Sequence, residues 1–221
     1  ETGMDNQSLW TKWDSGFGNT TFRKSRITDN TQMTLFTAEG ILRAETRETL
    51  KGICHPPTVI YHAYQRWLLT QGYPNVKDYE WVYDGWLLGI KELYAKRAPS
   101  QLCLTALASR KIGTIEHPIN NSKGYGGVMR VAPVGLFYRD NAFRAGVEFA
   151  ALTHGHPSGY LSAGAFAHII AMIIEDQRIE DSVINALNML ERYDNHKDCK
   201  ESLIKAMALA KDNLPDNEAI R

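Results

Sequence analysis

The sequence predicts an all-α fold, a compact bundle of several helices. Apolar residues recur every three or four positions in almost every segment of the 221-residue chain, which is the spacing of one helix face. No segment alternates convincingly between polar and apolar residues, as a half-buried strand would. Pro56, Pro57, Pro74 and Pro99 fall at the boundaries of the periodic segments. These observations favour helices packed on helices over a sandwich or a doubly wound sheet.

The individual helices follow from this spacing, in chain order. The first carries Met33, Phe36, Thr37, Gly40 and Ile41 on one face. Two further helices are predicted at 58–70 and 100–109. The second half of the chain repeats the pattern four times, at 141–153, 157–175, 181–192 and 198–212. The longest of these begins with a proline, which suits a first helical turn because its missing N–H is not needed there.

Composition excludes several classes of function. Twenty-five basic and 25 acidic side chains cancel, so a nucleic-acid-binding footprint is not expected. No run of eighteen apolar residues is present, so we expect no membrane span. The three cysteines, Cys54, Cys103 and Cys199, are widely spaced and form neither a disulfide framework nor a metal-binding pair. With no secretion signal, these features predict a cytoplasmic protein.

The chain is expected to hold one helical domain at 26–221, preceded by an N-terminal segment at 1–25. Glu1-Thr2-Gly3 precedes a methionine and is interpreted as a remnant of expression. No repeat, low-complexity tract or linker divides the remainder.

The first loop with unusual chemistry includes Thr28-Asp29-Asn30-Thr31, just before the first helix. Small polar residues at this position commonly cap a helix by accepting hydrogen bonds from its free N–H groups. Hydroxyl and carboxylate oxygens in consecutive residues also suit a hard cation such as Mg²⁺. Both interpretations stay open on the residues alone.

The second loop contains Gly124-Tyr125-Gly126-Gly127 ahead of Val128-Met129-Arg130. Glycines let the backbone approach a ligand closely and adopt positive φ, and a following helix would point N–H groups at a phosphate. The alternative is a glycine-rich connection between two helices. The spacing matches neither a Walker loop nor a dinucleotide fingerprint.

The third loop is Thr153-His154-Gly155-His156-Pro157. Two imidazoles at this spacing can bind a transition metal, but no third histidine or cysteine has matching spacing. The favoured interpretation places one imidazole at the helix start and the other on a ligand or a carbonyl. Cys103 is expected in the core, and Trp67, Trp81 and Trp86 in the core or at its rim.

Taken in order, the three loops resemble the ADP-ribosylglycohydrolase family, the DraG-like hydrolases. The segment Ile27 to Leu35 is similar to the family's Thr-Asp-Asp-Thr-Gln-Met motif, and Asn121 to Pro133 is similar to its substrate loop. Thr153 to Pro157 is similar to its Thr-His-x-His-Pro element. The resemblance runs from about Arg26 to Arg221. It implies an all-α fold and a pair of Mg²⁺ ions that support hydrolysis of the bond joining ADP-ribose to a protein side chain or small molecule.

The resemblance also implies residue roles. Thr28, Asp29 and Asn30 would be metal ligands, and Asp29 would be the catalytic carboxylate. His154 would contact the distal part of the substrate. The ADP-ribose groove would be lined by Ser122, Gly124, Tyr125, Gly126, Gly127 and Met129. Asp29 is expected to stabilise little besides the metal.

The sequence departs from the family pattern in three ways. Asn30 stands where the family has a second Asp, and neither the opening Gly-Asp-Ala-Leu-Gly helix nor the closing Asp-x-Asp-Thr motif is found. The expected structure is therefore a truncated bundle whose single remaining carboxylate is too little charge for two Mg²⁺ ions. Three hypotheses follow: an Mg²⁺-dependent hydrolase, a catalytically silent ADP-ribose-binding module, and a fragment whose exposed helix faces are covered in a homo-oligomer.

Overall fold

The computed structural model describes residues 27–75 and 77–211, and within these ranges it contains helices and no strand. The predicted all-α class is confirmed. The α-helices of the described part are α1 Asp29–Lys51, α2 Pro56–Thr70, α3 Gln101–Ala108, α4 Ala132–Tyr138, α5 Ala142–Ala151, α6 Pro157–Ile174, α7 Ile179–Leu190 and α8 Lys197–Lys211.

From α2 onwards the helix ends predicted from periodicity lie within about two residues of the observed ends, the usual uncertainty of such boundaries. Short elements were not predicted, because one or two turns give no readable period. They are α4 and the 3₁₀ turns Lys77–Tyr83, Trp86–Gly89, Lys91–Tyr94, Val128–Arg130 and Arg139–Asn141. The 3₁₀ turns between 77 and 94 pack along α1 and α2, where the carbonyl of Leu93 accepts from Gln32 and that of Val82 accepts from Arg66.

Helix α1 begins earlier than its loop interpretation implied, because residues 29–33 form its first turn. The N–H of Asp29 donates to the carbonyl of Arg97 (3.1 Å), so a neighbouring segment satisfies one of the free N–H groups at the helix start. The helix ends at Gly52, whose φ of 68° is left-handed and whose N–H donates to the carbonyl of Glu48 (2.8 Å). Glycine adopts that conformation without the steric cost of a side chain.

A fully buried glutamine ties the start of α1 to its neighbours. The side-chain amide of Gln32 donates to the carbonyls of Leu93 (3.3 Å) and Ala95 (3.0 Å). Its oxygen accepts from Trp67 Nε1 (3.2 Å) and Gln71 Nε2 (3.3 Å) on the α2 side. Because every polar atom of this side chain is paired, it fixes the position of the first turn of α1 without a desolvation penalty.

Helix α6 is the central helix of the bundle and packs against α4, α5 and α7. By length and composition it is also apolar enough to cross a membrane, with a mean hydropathy of 1.4, although the sequence showed no uninterrupted apolar run. Buried helices of globular proteins pass the same test. Here 44% of the helix is buried against the rest of the fold, and its inner face belongs to the core.

Close approach of α5 and α6 depends on glycines. The Cα of Gly164 lies 3.0 Å from the place where a Cβ on Gly146 would stand. A Cβ on Gly164 would lie 2.5 Å from Cγ2 of Val147 and 2.8 Å from the carbonyl oxygen of Phe143. Since the second of these atoms is backbone, a rotamer change cannot relieve the clash, and the helices would have to separate.

We therefore expect Gly164→Ala to lower the free energy of unfolding by about 1–3 kcal/mol, the usual cost of overpacking a core. Gly89→Ala is the matched control, because no atom lies within 4 Å of its Cβ position. Urea denaturation followed by circular dichroism measures both. Equal stability of the two variants would show that α5 and α6 tolerate separation.

Candidate functional site

The three loops singled out in the sequence meet at one end of the bundle. The hydroxyl of Thr34, in the first turns of α1, lies 3.1 Å from the carbonyl oxygen of Met129 in the glycine loop and 2.7 Å from that of Asn30 on its own helix, the two acceptors for its single hydrogen. The glycine loop in turn lies against His154, because a Cβ on Gly126 would stand 2.9 Å from Nε2 of that imidazole. The fold thus joins segments separated by more than ninety residues, as a shared site requires.

One side chain holds the second and third loops together. Nδ2 of Asn120 donates to the carbonyl of Thr153 (2.7 Å). Oδ1 of Asn120 accepts from the N–H groups of Ser122 (3.1 Å) and Gly155 (3.0 Å). Both ends of the amide are therefore used, and the half-buried side chain fixes the spacing between the loops.

The glycines of the second loop serve close packing rather than unusual backbone angles. Among the described residues, positive φ at glycine occurs at Gly52 and Gly72, so the expectation of positive φ in this loop was wrong. Gly126 is buried between His154 and Cys103, whose Sγ lies 3.1 Å from the Gly126 Cβ position. Gly127 packs into α5 and α6. A side chain on either glycine would collide with protein atoms.

The imidazole of His154 is buried against the glycine loop. The side chain is 1% exposed, and its Nδ1 lies 2.9 Å from the hydroxyl oxygen of Thr153. Burial first, and then the positive charge of Arg130, lower the pKa of His154 to about 3. Nε2 is buried, faces Gly124 and Gly126, and has no hydrogen-bond partner among the described residues. A neutral imidazole thus presents one unused polar atom to the loop.

His156 has a structural role instead. Its Nδ1 accepts from the N–H of Ser158 (3.0 Å), so this imidazole caps the start of α6. The helix-start part of the favoured interpretation of the third loop is confirmed, whereas the other imidazole, that of His154, bonds the Thr153 hydroxyl rather than a carbonyl. No three side chains of His, Cys, Asp or Glu come together within residues 27–75 and 77–211, which leaves the alternative of a transition metal on the two histidines without support there.

Asp29 is buried at the start of α1, and its Oδ2 accepts from the N–H of Ser100 (3.0 Å). Ser100 caps α3, since its hydroxyl accepts from the N–H of Cys103 (3.4 Å). One carboxylate oxygen therefore joins the starts of two helices, and the expectation that Asp29 stabilises little besides a metal was wrong. The carboxylate charge also lies at the positive end of both helices, which favours it.

The remaining predicted site residues differ in exposure. Thr28 is the exposed N-cap residue of α1, but its hydroxyl makes no capping hydrogen bond. The capping interpretation is therefore right about the position of Thr28 and wrong about its hydrogen bond. Asn30 and Met129 are half-buried. The hydroxyl of Ser122 accepts from the N–H of Gly124 (3.1 Å), which closes a tight turn. Tyr125 is 72% exposed and projects from the loop toward solvent.

Sequence reasoning missed the residues that hold the site together, namely Ser100, Asn120, Arg130 and Thr153. Arg130 and Thr153 lie inside the segments already singled out, and Asn120 lies next to one of them, so the sequence showed these residue types but not their hydrogen-bond partners. Ser100 had a local signal, because serine just before an apolar helix is a common cap. The remaining partners are set by contacts distant in sequence.

The structure also has clefts away from the three loops. One cleft of about 910 Å³ lies between α1, α2 and the following 3₁₀ turns, with Arg43, Arg47, His62, Trp81 and Trp86 in its lining. None of the predicted site residues lines it.

Removing the amide that joins the loops should loosen both. We expect Asn120→Ala to lower the free energy of unfolding by about 1–3 kcal/mol, since two half-buried N–H groups and one carbonyl lose their partner. Amide hydrogen exchange at Ser122 and Gly155 should accelerate. The exposed neighbour provides the control, as Asn121→Ala should change neither quantity. Unchanged exchange at both amides in Asn120→Ala would contradict the proposed role.

The pKa of His154 predicts how stability depends on pH. On unfolding, the pKa of His154 returns to its ordinary value near 6.5. Below that pH the unfolded chain binds a proton at His154, whereas the folded chain binds this proton only near pH 3. This group alone should lower the free energy of unfolding by about 1.4 kcal/mol per pH unit, or about 2 kcal/mol by pH 5. His154→Gln should show a flatter profile between pH 5 and 6.5 in urea titrations. An identical slope in the two proteins would mean that His154 is protonated in the folded state.

Comparison with known proteins gives one match. A family model described as ADP-ribosylglycohydrolase matches residues 3–221, a range that begins before the segment in which the motifs were recognised. Neither a curated protein nor a solved structure matches the chain. Because the family match covers nearly the whole sequence, the chain belongs to the ADP-ribosylglycohydrolase family.

Proposed function

We propose that this chain binds ADP-ribose groups at the three loops and hydrolyses the glycosidic bond linking them to a protein side chain or small molecule. Family membership supports the substrate class. The observation that carries the proposal is the unpartnered Nε2 of His154, which is buried and faces Gly124 and Gly126. An unsatisfied buried polar atom at the floor of a loop is what a ligand oxygen would satisfy.

The surroundings of that atom suit an anionic, oxygen-rich ligand. The buried guanidinium of Arg130 donates to the hydroxyl of Thr153, which lies against the imidazole, and forms no salt bridge with a carboxylate among the described residues. Gly124 is exposed and without a side chain, so ligand atoms can approach its backbone closely. Pyrophosphate and ribose oxygens of ADP-ribose would meet a positive potential and hydrogen-bond donors here.

The proposed role of Mg²⁺ is supported less well by the described residues. Thr28, Asp29 and Asn30 offer a hydroxyl, a carboxylate and an amide, which are oxygen donors that Mg²⁺ accepts. However, they contain one carboxylate, and one of its oxygens already accepts from Ser100. These donors alone do not fit a pair of divalent ions. We propose them as one edge of a metal site and attribute no reaction step to it.

The same observation favours a second candidate function, an ADP-ribose-binding module without catalytic activity. Recognition depends on His154 and the glycine loop, whereas hydrolysis would depend on the edge formed by residues 28–30. The two candidates therefore share a binding surface and differ at the start of α1.

Two measurements distinguish the candidates. Isothermal titration of the protein with ADP-ribose tests binding, and release of ADP-ribose from arginine-linked and serine-linked peptides, with Mg²⁺ or with EDTA, tests hydrolysis. We expect saturable binding and Mg²⁺-dependent release. Binding without release on any peptide would support the second candidate, and absence of binding would contradict both.

The matched variant is Asp29→Asn, because its amide oxygen can still accept from Ser100 while the charge is removed. We expect this variant to lose no more than about 1 kcal/mol of stability, from the missing charge at the helix starts, and to keep its affinity for ADP-ribose. Release should fall at least about 100-fold, the upper range for losing a partner of a metal ligand. Unchanged release would exclude the carboxylate from catalysis.

A further inference from the structure

A buried positive charge lies behind the candidate binding loop. The side chain of Arg130 is fully buried, and its Nη2 donates to the carbonyl of Phe149 (3.0 Å) and to the hydroxyl oxygen of Thr153 (2.7 Å). The guanidinium also stacks on Tyr64, with 4.2 Å from Cζ to the ring centroid. No ion pair with a carboxylate is found for Arg130 in the described ranges.

The hydroxyl of Thr153 has one hydrogen and two neighbours. Arginine can only donate, so Thr153 Oγ1 must act as the acceptor toward Arg130. The other neighbour of this oxygen is Nδ1 of His154, at 2.9 Å. A hydroxyl that is fully buried needs an acceptor for its own hydrogen, and Nδ1 is the acceptor that this geometry offers.

The two tautomers of His154 differ in how many polar groups they leave unpaired. If Nδ1 carried the hydrogen, it would donate to Thr153, which would leave the threonine hydroxyl hydrogen and the Nε2 lone pair both without partners. If Nε2 carries the hydrogen, Thr153 donates to Nδ1, and only the Nε2–H group is unpaired. Since each buried unpaired group is costly, the second arrangement is favoured.

The unpaired group points at the binding loop. Nε2 lies 2.9 Å from the Cβ position of Gly126 and 3.6 Å from that of Gly124. Gly126 is buried and closes one side of this nitrogen, whereas Gly124 on the other side is exposed. A ligand atom that reaches Nε2 from the Gly124 side meets a hydrogen-bond donor, and must therefore be an acceptor such as a phosphate or ribose oxygen.

We propose that Arg130 and Thr153 are positioning residues that hold His154 in the tautomer protonated at Nε2, so that this nitrogen donates a hydrogen bond to an oxygen of the bound ligand. The identity of the ligand as ADP-ribose rests on the proposed function, whereas the tautomer is a property of the free protein. The chain of donors runs from the guanidinium through the threonine hydroxyl to the imidazole, and the buried cation polarises each bond in it.

The tautomer can be read from the free protein. Two-bond ¹H–¹⁵N correlations of the ¹⁵N-labelled protein distinguish imidazoles protonated at Nε2 from those protonated at Nδ1, with His154→Gln assigning the signal. We expect the wild-type protein and Thr153→Ser, which keeps the hydroxyl, to show the Nε2–H pattern. Thr153→Val, which keeps the shape but not the hydroxyl, should shift the population toward Nδ1–H. An Nδ1–H pattern in the wild-type protein, or no shift in Thr153→Val, would overturn the proposal.

Titration with ADP-ribose gives the second readout. We expect Thr153→Val to weaken binding about tenfold, the worth of one hydrogen bond, and Thr153→Ser to stay within about twofold of the wild-type affinity. A purely structural role for the Thr153 hydroxyl, as the acceptor for Arg130, would weaken binding in Thr153→Val without shifting the tautomer population, so the two readouts together separate the roles. If the wild-type protein binds no ADP-ribose, the proposed function fails, and the spectrum of the free protein still decides the tautomer.

Discussion

The candidate site depends on one buried charge, the guanidinium of Arg130. It lies where elements distant in sequence converge, and it touches Met33, Tyr64, Cys103, Phe149 and Thr153. A buried cation is costly unless its hydrogen bonds are made, so these contacts must form together for the charge to be tolerated. The position of the third loop follows from this requirement, because Thr153 is one of the acceptors. The position of His154 follows in turn, since its ring is bonded to the same hydroxyl.

The residues of the loops then divide into a buried group and a solvent-exposed group. His154, Gly126 and Cys103 are buried and pack against one another, and the amide of Asn120 fixes the distance between the two loops. Tyr125 projects outward in the exposed group. An imidazole in the buried group stays neutral near pH 7, because burial and the neighbouring cation both disfavour its charged form. It can therefore offer a fixed hydrogen bond, while any attraction for an anion comes from the guanidinium behind it.

Periodicity was sufficient to predict the fold class and the longer helices, because burying one helix face imposes a three- and four-residue spacing that the sequence displays directly. It was not sufficient for α4 or the 3₁₀ turns, which are too short to show a period. The three loops were also recognisable from the sequence, but the backbone angles and contacts of their residues were not. Positive φ was expected at the loop glycines, whereas Gly126 and Gly127 lack side chains because helices and an imidazole lie against them. The partners of Asn120 and Arg130 depend on tertiary contacts, which no local pattern encodes.

Asp29 shows why a motif alone does not establish catalysis. Its carboxylate was singled out as a metal ligand, yet one oxygen joins the starts of α1 and α3 through Ser100. An acidic residue at that place is favourable in a metal-free protein as well, because it satisfies a buried N–H and lies at two positive helix ends. The proposed binding, by contrast, would involve an atom with no hydrogen-bond partner among the described residues, Nε2 of His154. The fold can therefore keep its recognition surface whether or not a metal is held beside it, and this independence is why a hydrolase and a binding module are both compatible with the same bundle.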